Sequence, residues 1–171
     1  MTEAEVQKMI ALEINTRNRL LIKTLYCGGL RNFEAAGLKW RDLQERQKGG
    51  QMTIHGKCNK THAVLIPEKL WHELMELKPE NSDDEPVFKS RKGGHIHFAQ
   101  VIRIVSVAAE RAGIKKKVTP HWLRHSHASH ALDRGAPIHL VQQTLAHSSL
   151  NTTLLYLHAK PNDSSSMYLD V

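Results

Sequence analysis

Four short segments hold the side chains best suited to chemistry. TPHWLRHSHASHAL, residues 119–132, places His121 and Arg124 three apart, so on a helix they share a face. A guanidinium that stays charged beside a group titrating near neutrality suits a phosphate. LAHSSLNTTLLYLH, residues 145–158, carries His147 and then Tyr156 nine positions later. LYCGGLRNFEAAGLKWRDL, residues 25–43, puts Arg31 just after a Gly-Gly turn, with Glu34 three residues on. GKCNK, residues 56–60, offers Lys57 at a hairpin tip, with Lys60 as its rival. Each residue also has a plainer use. Arg31 could cap or pair with Glu34, which would then hold the turn. A lysine at a hairpin tip is ordinarily solvated, and Tyr156 within LLYLH would ordinarily be a core tyrosine. His121, His125 and His130 could form a metal face, but no glutamate follows in H-E-x-x-H fashion and no cysteine pair is near.

The elements that must position these groups are legible from local signals. Thr2 with Glu5 reads as a capping box opening a helix to about Leu12. Asn15 or Thr16 starts a second, with Leu20, Leu21, Thr24 and Leu25 on its inner side and Gly28-Gly29 as its stop. Residues 32–38 form a short helix. From Trp40 the period shifts: QMTIHG and HAVLIP read as strands around the KCNK turn, a small antiparallel sheet between about 40 and 66. Pro67 opens a helix carrying Leu70, Trp71, Leu74 and Leu77, and an acidic loop follows. A helix over about 97–112 turns Val101, Ile104, Val105 and Ala108 inward. Thr119-Pro120 is an N-cap with proline at N1, and that helix runs to about Arg134, before Gly135. Pro137 opens another to about Ala146, and residues 150–158 suggest a last short helix. Trp40, Trp71 and Trp122 are expected in the core, and His125, His127 and His130 are expected to serve packing or contact a phosphate backbone. The fold class is α+β, mostly helical, in one domain spanning 1–171.

Length and composition narrow the class of protein. The chain has 171 residues, with 24 Lys+Arg against 17 Asp+Glu, 12 His and 2 Cys. A content of 40% hydrophobic and 24% charged residues is globular. Two cysteines, Cys27 and Cys58, exclude a disulfide-dense scaffold and point to a reducing, cytoplasmic setting. No apolar run approaches the roughly 18 residues of a membrane span, and the N-terminus lacks the apolar segment of a signal peptide. The formal charge is +7. Residues 89–117 alone carry that excess, through Lys89, Arg91, Lys92, Arg103, Arg111, Lys115, Lys116 and Lys117 against Glu110. Such a run is either a solvated face or a phosphate-facing stripe.

The segments, taken in order, resemble the catalytic domain of the tyrosine recombinase, or phage integrase, family. GGLRNFEAAGLKWRDL resembles its first arginine box, HWLRHSHASHAL its second, and LAHSSLNTTLLYLH its third. The order of arginine, hairpin lysine, His-x-x-Arg, histidine and tyrosine is kept over essentially the whole chain. The resemblance implies a mostly helical α+β domain with a small three-stranded antiparallel sheet. Two departures stand out: Cys58 and His62 occupy the places of a hairpin glycine and arginine. Family members usually carry an N-terminal DNA-binding domain, so residues 1–171 are expected to be half of a DNA clamp and to bind DNA weakly alone.

The resemblance implies a role for each residue. Arg31 and Arg124 would bind the non-bridging oxygens of a DNA phosphodiester. Tyr156 would attack to give a 3′-phosphotyrosine and a free 5′-hydroxyl. His121 would take the phenol proton, Lys57 would protonate the departing 5′-oxygen, and His147 would donate to the phosphate and seat the tyrosine. The cations replace a metal, and no cofactor is implied. Lys60, Lys89, Arg91, Lys92, Lys115, Lys116 and Lys117 would hold flanking backbone. The partner is double-stranded DNA, with a tetramer on DNA and a monomer in free solution, near the nucleoid of a bacterium or phage. Met167, Tyr168, Leu169 and Val171 would form a tail docking on a neighbouring protomer. The competing functions are a type IB topoisomerase, a catalytically silent DNA-binding module and a His-rich metal protein.

Overall fold

The computed structural model describes residues 1–56 and 61–146. Thr2 Oγ1 accepts from the Glu5 amide at 3.1 Å and the Glu5 carboxylate from the Thr2 amide at 2.9 Å. This reciprocal cap starts α1, Glu3–Ala11. The Asn15 side chain accepts from the Asn18 amide and starts α2, Thr16–Gly28. α3 spans Asn32–Gly37, and a 3₁₀ turn at Trp40–Asp42 leads into the sheet. Strands β1 Leu43–Arg46, β2 Gly49–His55 and β3 Thr61–Ile66 form an antiparallel sheet in the order β1-β2-β3. α4 Glu68–Met75 follows, then a loop, then α5 Phe98–Arg111, α6 Pro120–Asp133 and α7 Ile138–Leu145. The α+β, mostly helical class and the three-stranded sheet are therefore as expected.

α2 is the hub. It is buried through Leu20, Leu21, Ile22, Thr24 and Leu25 and packs on α1, α3, α4, α6 and β3. The sheet adds Met52, Ile54, Val64 and Ile66 from its inner face, since alternate residues of a strand point one way. α5 contributes Val101, Ile104, Val105 and Ala108, the four expected positions. A smaller cluster of Ala128, Val141 and Leu145 joins α6 to α7. Trp40 and Trp71 are buried as expected, but Trp122 is 40% exposed and lies under the Lys116 ammonium, 5.9 Å from the ring centroid. It lines one cleft with His121 and His125, whereas Leu123 and Ala128 of the same helix are buried.

This arrangement sets up the site. β2 and β3 are paired as far as His55 opposite Thr61. The hairpin connection carrying Lys57 and Lys60 therefore departs from that pair, although both lysines lie outside the described residues. α7 ends at Leu145, immediately before the segment with His147 and Tyr156, which also lies outside them, as do the expected helix at 150–158 and the tail.

Candidate active site

Arg31 is placed by how α2 stops. Gly29 caps the helix at φ +60°, donating its amide to the Leu25 and Tyr26 carbonyls. A side chain is excluded there for two reasons. The left-handed backbone disfavours a Cβ, and a Cβ would sit 2.5 Å from Leu145 Cδ2 and 3.1 Å from the His127 ring. The chain then turns through buried Leu30 into Arg31, the N-cap residue of α3. Arg31 donates its backbone amide to Glu34 Oε2 and its Nη1 to Oε1, both at 2.8 Å. The Glu34 side chain is fully buried, whereas that of Arg31 is 39% exposed. A buried carboxylate needs such a partner. The pairing with Glu34 is thus real, and it fixes the direction of a guanidinium that still reaches the surface.

Arg124 is deeper, at 4% exposure. Its Nη1 donates to the Gly29 carbonyl at 2.5 Å and its Nη2 to the Leu145 carbonyl. These oxygens stand at the ends of α2 and α7, where helix carbonyls lack internal partners and the dipole is negative. One guanidinium therefore joins the first-box turn to the helix that leads into the third box. Sequence reasoning gave Arg124 only a phosphate to bind; the structure adds this helix-pinning role, because its partners are 95 and 21 residues away.

His121 and His125 sit one turn apart on α6 with their Nε2 atoms 2.5 Å apart and their rings crossed at 84°. One of these nitrogens carries the hydrogen and the other accepts it. Loss of hydration, and then the charges of Arg124 and Arg31, hold His121 below the usual histidine range. Loss of hydration, then His121 and Arg124, does the same to His125. Near neutral pH both rings are uncharged, the state a proton acceptor requires.

His62 is a member of this set that sequence reasoning did not assign to the site. Burial, opposed by Glu34 and reinforced by Arg124 and Arg31, lowers its pKa, and it hydrogen bonds with the Thr144 backbone. The signal was in the strand alternation: His62 has the parity of Val64 and Ile66, the two inward residues of β3. Arg31, Glu34, His62, His121 and Arg124 are therefore one electrostatic neighbourhood.

The other histidines on α6 hold the fold. His127 donates from Nδ1 to the Tyr26 carbonyl at 2.8 Å. His130 donates from Nε2 to the Met1 carbonyl at 3.0 Å and accepts the Tyr26 hydroxyl at Nδ1, 2.8 Å away. His130 is thus separated from the His121–His125 pair, so the three-histidine face weighed from the sequence does not form.

The basic run falls into two groups along the chain, before and after α5, and between them Arg103 and Arg111 share one groove with Arg91 and Lys92. Lys89, Arg91 and Lys92 lie before α5 and Lys115, Lys116 and Lys117 after it. Arg91 and Lys92 line an open groove of 870 Å³ together with Arg17, His95, His97 and Arg103. Lys89 pairs with Glu85. Lys116 faces Glu5 at 3.7 Å, and Lys115 and Lys117 are exposed. Among the described residues, no helix is long and apolar enough to cross a membrane.

Known proteins are similar to this chain in sequence and in fold. The tyrosine recombinase XerA of Pyrococcus furiosus is 38% identical over 162 residues, which cover 91% of this chain and 56% of that protein. The tyrosine recombinase XerC of Nitrobacter winogradskyi is 37% identical over 145 residues, 82% of this chain and 45% of that protein. The chain spans about half the length of these curated relatives. A crystal structure of XerA recombinase superposes with a TM-score of 0.82 at 27% identity, over 98% of this chain and 63% of that one. The post-cleavage complex of XerH site-specific recombinase with palindromic difH substrate gives 0.81 at 29% identity, over 94% of this chain and 50% of that one. The catalytic domain of bacteriophage HP1 integrase, at 24% identity and a TM-score of 0.70, shares the fold over 92% of its own length. The family model described as the phage integrase family matches residues 1–163, and with the two arginine boxes joined as described, the chain belongs to that family.

Proposed function

We propose that this chain is the catalytic domain of a site-specific DNA recombinase, breaking and rejoining double-stranded DNA through a 3′-phosphotyrosine at Tyr156. The observation that carries the reading is the convergence of Arg31, from the start of α3, with Arg124 and an uncharged His121 on α6. Attack on a phosphodiester adds negative charge to oxygens that are already anionic. Two pre-set guanidinium groups stabilise that charge without reorganising. His121 is uncharged near neutrality, so it can accept the Tyr156 proton, with the phosphorus–tyrosine bond forming as the bond to the 5′-oxygen breaks. Lys57 supplies the proton for that oxygen, and His147 donates to the phosphate. The bond energy is kept in the phosphotyrosine, so a second 5′-hydroxyl reverses the step on a new strand.

The two basic groups extend the grip. Lys89, Arg91 and Lys92 at one end of α5, Lys115, Lys116 and Lys117 at the other, and Lys60 on the hairpin lie on flanking phosphates. Residues 1–171 act as one domain beside a second that completes the clamp, monomeric when free, tetrameric at the synapse and acting at the nucleoid. That the relatives are named recombinases favours strand exchange over topoisomerase-like relaxation.

A nicked substrate that loses its 5′-hydroxyl fragment traps the covalent complex. Wild-type protein is expected to give a denaturation-resistant protein–DNA adduct at the 3′-phosphate and Tyr156→Phe none. An adduct formed by Tyr156→Phe refutes the assignment of the nucleophile.

A further inference from the structure

We propose that His121 and His125 form a two-imidazole chelate for a divalent transition cation of the Zn²⁺ or Cu²⁺ class on the exposed side of α6. The helix places the two residues at i and i+4, on one face and one turn apart. Their Nε2 atoms converge to 2.5 Å, with the ring centroids 4.0 Å apart and the planes crossed at 84°. The two ring nitrogens thus face each other, and both become available to a cation once the hydrogen between them is carried instead on the Nδ1 of the donor ring. A cation bound at about 2.0–2.1 Å from each nitrogen would need them about 2.8–3.4 Å apart, for coordination angles between square and tetrahedral. Rotation of the two rings by under about 1 Å at their tips supplies that separation. Imidazole selects Zn²⁺, Cu²⁺ or Ni²⁺ over Mg²⁺ or Ca²⁺, which prefer oxygen.

A second observation lies beside the pair. A cleft of 460 Å³ opens against His121 and His125 and is also lined by Trp122, Ser126 and Ser129. Ser126 is 3% exposed, and its Oγ has no hydrogen-bond partner among the described residues. The cleft has room for the remaining waters of an open coordination sphere. With two protein ligands the site is exchangeable and does not hold the fold together, unlike a closed four-ligand zinc centre. The charges of Arg31 and Arg124 nearby oppose a dication, which also favours reversible loading.

The consequence for DNA cleavage rests on the recombinase reading: a cation on His121 takes the lone pair that would accept the tyrosine proton and places a solvated dication where the phosphate must sit. Loading and cleavage therefore exclude each other.

The test uses metal-stripped full-length chain dialysed against Zn²⁺ alone, with bound zinc counted by elemental analysis and folding checked by circular dichroism. Wild type and His139→Gln, which alters an exposed histidine on α7, are expected to bind with equal affinity. His121→Gln and His125→Gln are each expected to weaken that step at least tenfold, so either one decides the outcome if the other fails to fold. Zinc binding that is unchanged in both variants, or absent from wild type, overturns the chelate. In the adduct assay, Zn²⁺ is expected to suppress the wild-type signal, with recovery on adding a chelator. Half-suppression of His125→Gln should need at least tenfold more zinc. If no chain cleaves DNA under any condition, the recombinase reading fails while the dialysis result still stands.

Discussion

Gly29→Ala is the substitution whose effect the structure specifies most fully. Two costs add. Alanine at φ +60° costs about 1–2 kcal/mol in the left-handed region. The new Cβ would also lie 2.5 Å from Leu145 Cδ2 and 3.1 Å from the His127 ring, and overpacking of this kind costs about 1–3 kcal/mol. The expected loss is about 2–5 kcal/mol, or about 5–20 °C in melting temperature for a chain of this size. Urea unfolding followed by circular dichroism measures it. Gly28→Ala, one residue earlier, is the control. Its Cβ would meet the flexible end of Met52 at 2.8 Å with no positive φ. Alanine also raises helix propensity by about 0.5–1 kcal/mol, so the change should be near neutral.

The steric part can be isolated. Leu145→Ala removes the methyl that the new Cβ would strike, so the double-mutant cycle should show about 1–3 kcal/mol of favourable coupling. The strain part should survive unchanged. Displacing Leu145 also moves the carbonyl that Arg124 holds, two residues before His147. Adduct formation by Gly29→Ala is therefore expected to fall about 10²-fold under conditions where the variant is fully folded, as misplacement of about 1 Å does. A cost below about 0.5 kcal/mol, with no coupling to Leu145→Ala, refutes the reasoning: the close approach of α2, α6 and α7 would then not be what holds the site.

Two further outcomes are expected. Burial and the two arginines hold His62 below its usual range, so the unfolded chain binds more protons there. The stability this gives is present above about pH 6.5 and is lost as pH falls through that value toward the folded pKa. His62→Gln should flatten this limb of a urea-midpoint profile between about pH 5 and 7, and an unchanged limb would assign the proton uptake elsewhere. If Lys115, Lys116 and Lys117 lie on phosphates, changing all three to alanine should lower the log–log salt slope of DNA binding by up to about 3, near 0.9 for each phosphate no longer neutralised. The weakening should be equal for cognate and random duplexes; an unchanged slope would leave those lysines simply solvated.

What the sequence disclosed and what it hid follow one physical division. Thr2 with Glu5, Asn15, Gly29 and Thr119-Pro120 act within a few residues, so their meaning is carried by spacing, and the helix limits followed. The family boxes are legible for the same reason. The roles that were missed depend on contacts across the fold. Nothing near His62 says that Thr144, Glu34 and both arginines will surround it; strand parity alone puts it on the inner face. Trp122 was expected inside because tryptophan usually is, yet the outward side of α6 also carries His121 and His125. The layout of the basic run was hidden because a string of letters does not show Arg103 and Arg111 sharing a groove with Arg91 and Lys92.

Arg124 shows why stability and chemistry are bound together in this fold. A guanidinium meant for a phosphate would, if merely exposed, have many orientations to lose on binding. Here two of its five N–H groups are committed to the carbonyls that end α2 and α7, so its plane is fixed before any ligand arrives. The same bonds satisfy acceptors that a buried helix end would otherwise leave without partners. Removing Arg124 thus takes away a charge from the phosphate and exposes two orphaned carbonyls at once. Its exchange for lysine keeps the charge, but the ammonium lacks the fork needed to span both. Arg31 solves the problem differently, through a buried Glu34 three residues away. Its loss should cost folding as well as chemistry, because the fully buried Glu34 carboxylate would keep only the backbone amide at position 31 as a partner. The two arginines are equivalent toward a phosphate and anchored differently in the fold, Arg124 on two backbone carbonyls and Arg31 on one buried carboxylate.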